Sequence, residues 1–224
     1  MTKWQEVDGP RAVDRKELAK NPPAPSDTWP RTDRRVARLL AALRRRQPDV
    51  AVVLEDVHDV YNVSAVLRTC DAVGVPEVHL VYTVEDPPRG RFARRVAAGT
   101  AKWVDTIRWD SIGECYGHLR KRGHQILATG FSDDARSIHH TDFTVPVAMV
   151  FGNEMRGLTQ EAMGQADGEI YIPMMGMVQS LNISVSCAVT LYELRRQRDV
   201  AGFYASPGLS ETEISEKLQE WLQK

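Results

Sequence analysis

The sequence predicts an α/β fold: a parallel sheet with helices on both faces. Short apolar runs alternate with helix-periodic segments from residue 51 to residue 198, the pattern of strands joined by crossover helices. The first run, Ala51-Val52-Val53-Leu54, is apolar throughout, as in a strand covered on both sides. The chain has 224 residues, 42% hydrophobic and 26% charged, enough to bury a sizeable core in one domain with extensions.

Residues 1–30 are polar and include Pro10, Pro22, Pro23, Pro25 and Pro30, so an extended arm is expected there, with a short helix around 15–20. Residues 31–47 read as a helix with Val36, Leu39, Leu40 and Leu43 on one face. A strand over 51–57 follows. The spacing of Val63, Val66, Leu67, Cys70 and Val73 predicts a helix over 62–73, stopped by Gly74. Residues 78–82 form the next strand, 91–103 a basic, partly helical segment and 104–107 a short strand. A helix over 112–122 ends at Gly123. Strands are expected at 124–129, 147–151 and 169–172, with a helix near 158–166 between the last two. A long helix covers 181–198. The final helix, 210–223, opens on Ser210 with Glu213 three residues on, which is capping-box spacing.

The net charge of -1 excludes a uniformly basic nucleic-acid binder, so the distribution of charge has to decide. Residues 1–50 hold twelve Lys/Arg against seven Asp/Glu. Arg31, Arg34, Arg35, Arg38, Arg44, Arg45 and Arg46 crowd one short stretch. Two readings are open: a solvated helix face, or an arm that grips phosphates. Cys70, Cys115 and Cys187 are far apart and odd in number, which suggests neither a disulfide framework nor a zinc site. None of the six histidines has metal-ligand spacing, so no metal is expected. No apolar run is long enough for a membrane span and no signal-peptide core is visible, so a cytoplasmic protein is expected, with no membrane partner.

Three polar constellations fall at the carboxyl ends of expected strands, where a parallel sheet gathers them into one crevice. The first is Glu55-Asp56-Val57-His58-Asp59-Val60-Tyr61-Asn62-Val63-Ser64-Ala65-Val66-Leu67-Arg68-Thr69-Cys70, in which Asn62 to Arg68 carries the polar pair. Asn62 reads as an N-cap, and whether it does more is open at this point. Arg68 lies away from the apolar stripe of its helix, either solvated or turned to a substrate. The second is Phe151-Gly152-Asn153-Glu154-Met155-Arg156-Gly157-Leu158, a strand delivering a Gly turn, an amide and a carboxylate. The third is Ile172-Pro173-Met174-Met175-Gly176-Met177-Val178-Gln179-Ser180-Leu181-Asn182-Ile183-Ser184-Val185-Ser186, a strand-to-helix turn whose Ser and Asn suit a helix start.

Together these constellations resemble the three motifs of the SPOUT class of RNA methyltransferases, in the SpoU/TrmH branch. The resemblance runs from about residue 51 to residue 198. Both ends, Trp4-Gln5-Glu6-Val7 and Gly202-Phe203-Tyr204 with its following helix, are similar to the tRNA guanosine-18 2′-O-methyltransferases of that branch. The resemblance implies a C-terminal deep trefoil knot, S-adenosyl-L-methionine as cofactor, tRNA as substrate and a homodimer packed through the knot region. It divides the chain into a basic tRNA-binding arm and helix (1–50), a methyltransferase domain (51–198) and a C-terminal extension with a helix (199–224). Cofactor contacts carried over by motif are Thr129, Gly130, Gly152, Ile172, Met174 and Leu181. Packing around the adenine or in the core is the expected role of Met174, Met175 and Met177. The backbone at Gly176 is expected to approach the cofactor.

The resemblance makes Arg68 the leading catalytic residue, supported by Asn62, Glu154, Ser180 and Asn182. Because a guanidinium stays protonated, the expected role of Arg68 is to hold a phosphate and ribose and to stabilise the developing alkoxide. Glu154 is either a base or a structural tie. The rivals are a ribosomal RNA ribose methyltransferase, a non-catalytic RNA-binding module and a dinucleotide-binding dehydrogenase. No GxGxxG follows the first strand, which counts against the last.

Overall fold

The computed structural model describes residues 33–84 and 102–224. The expected arm, Arg31 and most of the basic segment expected at 91–103 lie outside the described residues. The strands are β1 (Val50–Glu55), β2 (Glu77–Val81), β3 (Asp105–Trp109), β4 (Gln125–Thr129), β5 (Arg136–Ser137), β6 (Val147–Phe151) and β7 (Gly168–Tyr171). They form one sheet in the order β3-β2-β1-β6-β4-β7-β5, and every pairing is parallel. The helices are α1 (Asp33–Leu43), α2 (Val60–Val73), α3 (Ile112–Lys121), α4 (Gln160–Gly164), α5 (Ile183–Val200) and α6 (Glu211–Gln223).

The apolar run of β1 is explained by its two covered faces. Val50, Val52 and Leu54 pack with Val66, Leu67 and Cys70 of α2 and with Leu191 and Leu194 of α5. Ala51 and Val53 pack with Ile112, Tyr116 and Leu119 of α3 and with Ala162 of α4. Helices therefore lie on both faces, as the alternation of apolar runs predicted. No helix among the described residues is long and apolar enough to cross a membrane.

The apolar stripe of α1 has its own partner. Val36, Leu39 and Leu43 bury against Ile214, Leu218, Trp221 and Leu222 of α6. The capping box of α6 is present, with Ser210 and Glu213 bonded reciprocally. Beyond the end of α1, Arg46 is only 2% exposed. Its guanidinium donates to Asp71 Oδ1 (2.6 Å), to the carbonyl of Trp103 (2.8 Å) and to that of Val75 (3.2 Å), and lies 5.1 Å from the Trp221 ring centroid. The expectation that Arg46 contacts RNA is corrected by this: it ties α1, α2 and α6 to the sheet.

Arg198, near the end of α5, is fully buried and uses all five of its N–H donors. They reach Asp49 Oδ1 and Oδ2 (2.7 and 2.9 Å), Gln47 Oε1 (3.1 Å) and the carbonyls of Phe143 and Val145 (both 2.8 Å). This fastens α5 to the segments entering β1 and β6, at the amino ends of the strands. The opposite, carboxyl ends are left for the polar turns. There β1 leads out through β2 to β3, while β6 and β4 lie on its other side, and this reversal opens a crevice.

Candidate active site

A cavity of about 460 Å³ opens at the carboxyl ends of β4, β6 and β7 and is closed by the segment entering α5. All six residues expected to touch the cofactor line it: Thr129, Gly130, Gly152, Ile172, Met174 and Leu181. Ile138, Phe151, Ile170 and Ile183 complete its apolar walls, and Glu154 and Ser180 also line it. Thr129 is anchored by its hydroxyl, which donates to the carbonyl of Val150 at 3.0 Å.

The close approach of backbone lies at Gly152 and Gly130. A Cβ on Gly152 would overlap the backbone of Gly157 and Leu158, and one on Gly130 would meet the Glu169 carboxylate and the Met163 methyl. At Gly176 a Cβ would meet no protein atom within 4 Å, and Gly176 is not among the residues lining the cavity. Met175 and Met177 are 95% and 99% exposed and do not pack in the core, while Met174 lines the cavity.

The polar motif residues form a chain beside the cavity. Asn182 donates from Nδ2 to Asn62 Oδ1 at 3.2 Å, and Asn62 donates from Nδ2 to Glu154 Oε1 at 2.6 Å. Asn182 Oδ1 in turn accepts from the backbone N–H (2.9 Å) and hydroxyl (2.6 Å) of Ser184. Each member comes from a different motif, on α2, after β6 and before α5. Asn182, not Ser180 or Leu181, is the N-cap of α5. Asn62 is not the N-cap of α2: Asp59 accepts from the N–H of Tyr61 and does that work. One turn into the helix, Asn62 is released for Glu154.

Arg68 is not brought into this lining. It is exposed on α2, and its side chain makes no hydrogen bond or ion pair with the described residues. Six positions after Asn62, it lies about 120° round the helix from it. Of the arginines proposed for RNA, Arg34, Arg38 and Arg44 are exposed and Arg35 and Arg45 half-buried, and Arg44 faces Glu211 at 3.8 Å.

The sequence profile of the SpoU rRNA methylase family matches residues 49–192. The chain belongs to the SpoU methylase family. A tRNA (guanosine(18)-2′-O)-methyltransferase of Thermus thermophilus is 45% identical over 194 residues, covering 87% of this chain and 98% of that protein. The crystal structure of the Aquifex aeolicus TrmH/SpoU tRNA modifying enzyme matches 85% of this chain and 96% of its own, with a TM-score of 0.77 and 37% identity. An AdoMet-bound rRNA methyltransferase from Sinorhizobium meliloti matches 70% of this chain and 59% of its own, with a TM-score of 0.58 and 26% identity.

In this SpoU chain the motif-two turn has supports that motif reading passed over. Asn153 donates to the carbonyl of Asp56 (2.9 Å) and accepts from the N–H groups of Met155 (2.9 Å) and Arg156 (3.2 Å). Glu55 accepts from the N–H (2.8 Å) and hydroxyl (2.7 Å) of Thr159, the N-cap of α4. One signal for Glu55 was in the sequence: a strand apolar at every other position that ends on a carboxylate.

Proposed function

We infer that the protein transfers a methyl group from S-adenosyl-L-methionine to the ribose 2′-hydroxyl of guanosine-18 in the D-loop of tRNA. The observation that carries this is the Asn182–Asn62–Glu154 chain, which gathers all three motifs at the rim of one cavity. The cavity suits the cofactor. Ile138, Ile170 and Ile172 offer apolar walls to an adenosyl group, Gly130 and Gly152 offer backbone, and Glu154 offers a carboxylate to a cation.

When bound, S-adenosylmethionine supplies an electrophilic methyl group on a sulfonium, so that a C–O bond to ribose forms as the C–S bond breaks. The chain's residues then have two tasks: to align the ribose hydroxyl and to take up the proton it loses. Asn62 and Asn182 fix the direction of the Glu154 carboxylate, and Ser180 lies beside it on the same cavity. In this reading Glu154 takes up the proton, its carboxylate held by Asn62 at 2.6 Å. Arg68 holds the adjoining phosphate and stabilises the developing alkoxide with its guanidinium.

That role for Arg68 requires a second copy of the chain. Val185, Val189 and Tyr192 form an exposed apolar stripe along α5, and Tyr61 is exposed near the start of α2. A homodimer packed on this face would cover the stripe and carry Arg68 to the partner's cavity. A deep trefoil knot in the same region is supported by the strand order: β7 inserts between β4 and β5, and the chain then returns as α5 against α2. Residues 1–50, with Arg31, Arg34, Arg35, Arg38, Arg44 and Arg45, form the tRNA-binding extension of the 51–198 domain, and 199–224 form a C-terminal extension with a helix. A cytoplasmic location follows from such a substrate.

The test is to incubate the purified protein with total RNA and labelled cofactor and to map the modified nucleotide. The expected product is 2′-O-methylguanosine at tRNA position 18. Label in ribosomal RNA instead would establish the ribosomal alternative.

A further inference from the structure

We propose that Glu55, with Asp56 beside it, is a positioning residue for methyl transfer, clamping both ends of the 152–159 turn that presents Gly152 and Glu154. The proposal rests on the methyltransferase reading and extends it to residues outside the three motifs. β1 and β6 are neighbours, with Leu54 beside Phe151, so the two chain segments leave the sheet side by side. At the near end of the turn, the Asp56 carbonyl accepts from Asn153 Nδ2 at 2.9 Å. At the far end, one Glu55 carboxylate takes both the N–H and the hydroxyl of Thr159. In between, paired bonds from Asn153 N to Gly157 O (3.1 Å) and from Gly157 N to Asn153 O (2.8 Å) close the loop. Glu154 lies inside that closed loop, so its place follows from the two anchors.

Both anchors are unfavourable to the fold by themselves. Asp56 adopts a left-handed backbone conformation, φ 51°, which is costly for a residue with a Cβ. Its carboxylate offsets this by accepting from Thr83 N (2.9 Å), Thr83 Oγ1 (3.1 Å) and Val84 N (3.2 Å). Glu55 is 1% exposed, and burial pushes its carboxyl pKa up despite the two Thr159 hydrogen bonds, with Asp56 and Glu161 adding to the rise. Capping α4 does not require it, because the Thr159 hydroxyl oxygen already accepts from Ala162 N at 3.1 Å. A carboxyl group kept in the core against its solvation is accounted for by what it holds in place.

The test uses Glu55→Gln, whose amide accepts one Thr159 donor but turns an NH₂ toward the other. A second variant, Thr159→Val, leaves Glu55 intact and decides the matter if the first fails to fold. Calorimetry with S-adenosylmethionine should show Kd weakened about tenfold, and kcat should fall by at least as much, while KM for tRNA moves less than about twofold. In a double-mutant cycle with Glu154→Gln, the kcat losses should be far from additive, since one residue acts through the other. Wild-type Kd and kcat in folded variants, or fully additive losses, would overturn the proposal. The cofactor Kd reads the clamp even where no tRNA is methylated, so failure of the tRNA reading would show separately.

Discussion

Arg38 and Arg46 carry the same side chain eight residues apart and do opposite things. Arg38 is exposed on α1; Arg46, past the last turn of that helix, gives its guanidinium to Asp71 and two carbonyls. Arg46→Ala should lower unfolding free energy by about 2–3 kcal/mol in urea titrations, short of a fully buried pair because Asp71 keeps some solvent. Arg38→Ala should change stability by less than about 0.5 kcal/mol. It should instead weaken tRNA binding and reduce the slope of log K against log salt by about one. An unchanged slope would remove Arg38 from the RNA surface. The sequence could not separate the two arginines, because Arg46 lies beyond α1, where helical phase no longer says which way a side chain faces.

At the scale of elements, α5 carries an acid whose titration is tied to the fold. Glu193, little exposed, accepts from Arg196 (2.7 and 3.0 Å) and from Gln197 Nε2 (2.9 Å). The Arg196 hydrogen bonds, helped by Gln197 and by the charges of Arg196 and His139, hold its pKa at about 2, against burial. A depressed folded pKa gives stability that is present above the ordinary value of 4.5 and is lost as pH falls from there toward 2. Glu193→Gln should therefore unfold at lower urea than wild type at pH 7, and the gap should close through that window. A gap independent of pH would mean that packing, not charge, makes the difference. Helix starts show what the sequence leaves undecided at this scale. Asp59 and Asn62 are both good N-caps three residues apart, and the choice was made by Glu154, ninety-two residues along the chain from Asn62. The β1 run and the α6 capping box were legible because their causes are local. The pairing of Glu55 with Thr159 was not, since their bond exists only once β1 and β6 are neighbours.

At the scale of the whole molecule, Arg68 stands apart from the cavity of its own chain. Its own chain assembles Asn62, Glu154, Ser180 and Asn182 at the cavity but leaves Arg68 exposed and outside the lining. The proposed two-fold dimer on the Val185–Val189–Tyr192 face would turn this separation into a division of labour, with each site drawing Arg68 from the other copy. Arg68→Ala alone and Asn182→Ala alone should each be nearly inactive, with cofactor Kd unchanged for Arg68→Ala. Co-expressed with two different tags and purified as the mixed dimer, they should recover about half the activity of the wild-type dimer, because one site receives an intact Arg68 facing an intact Asn182 while the other lacks both. If Arg68 served its own chain's cavity, each site of the mixed dimer would lack one residue, and the activity would stay at the level of the parents.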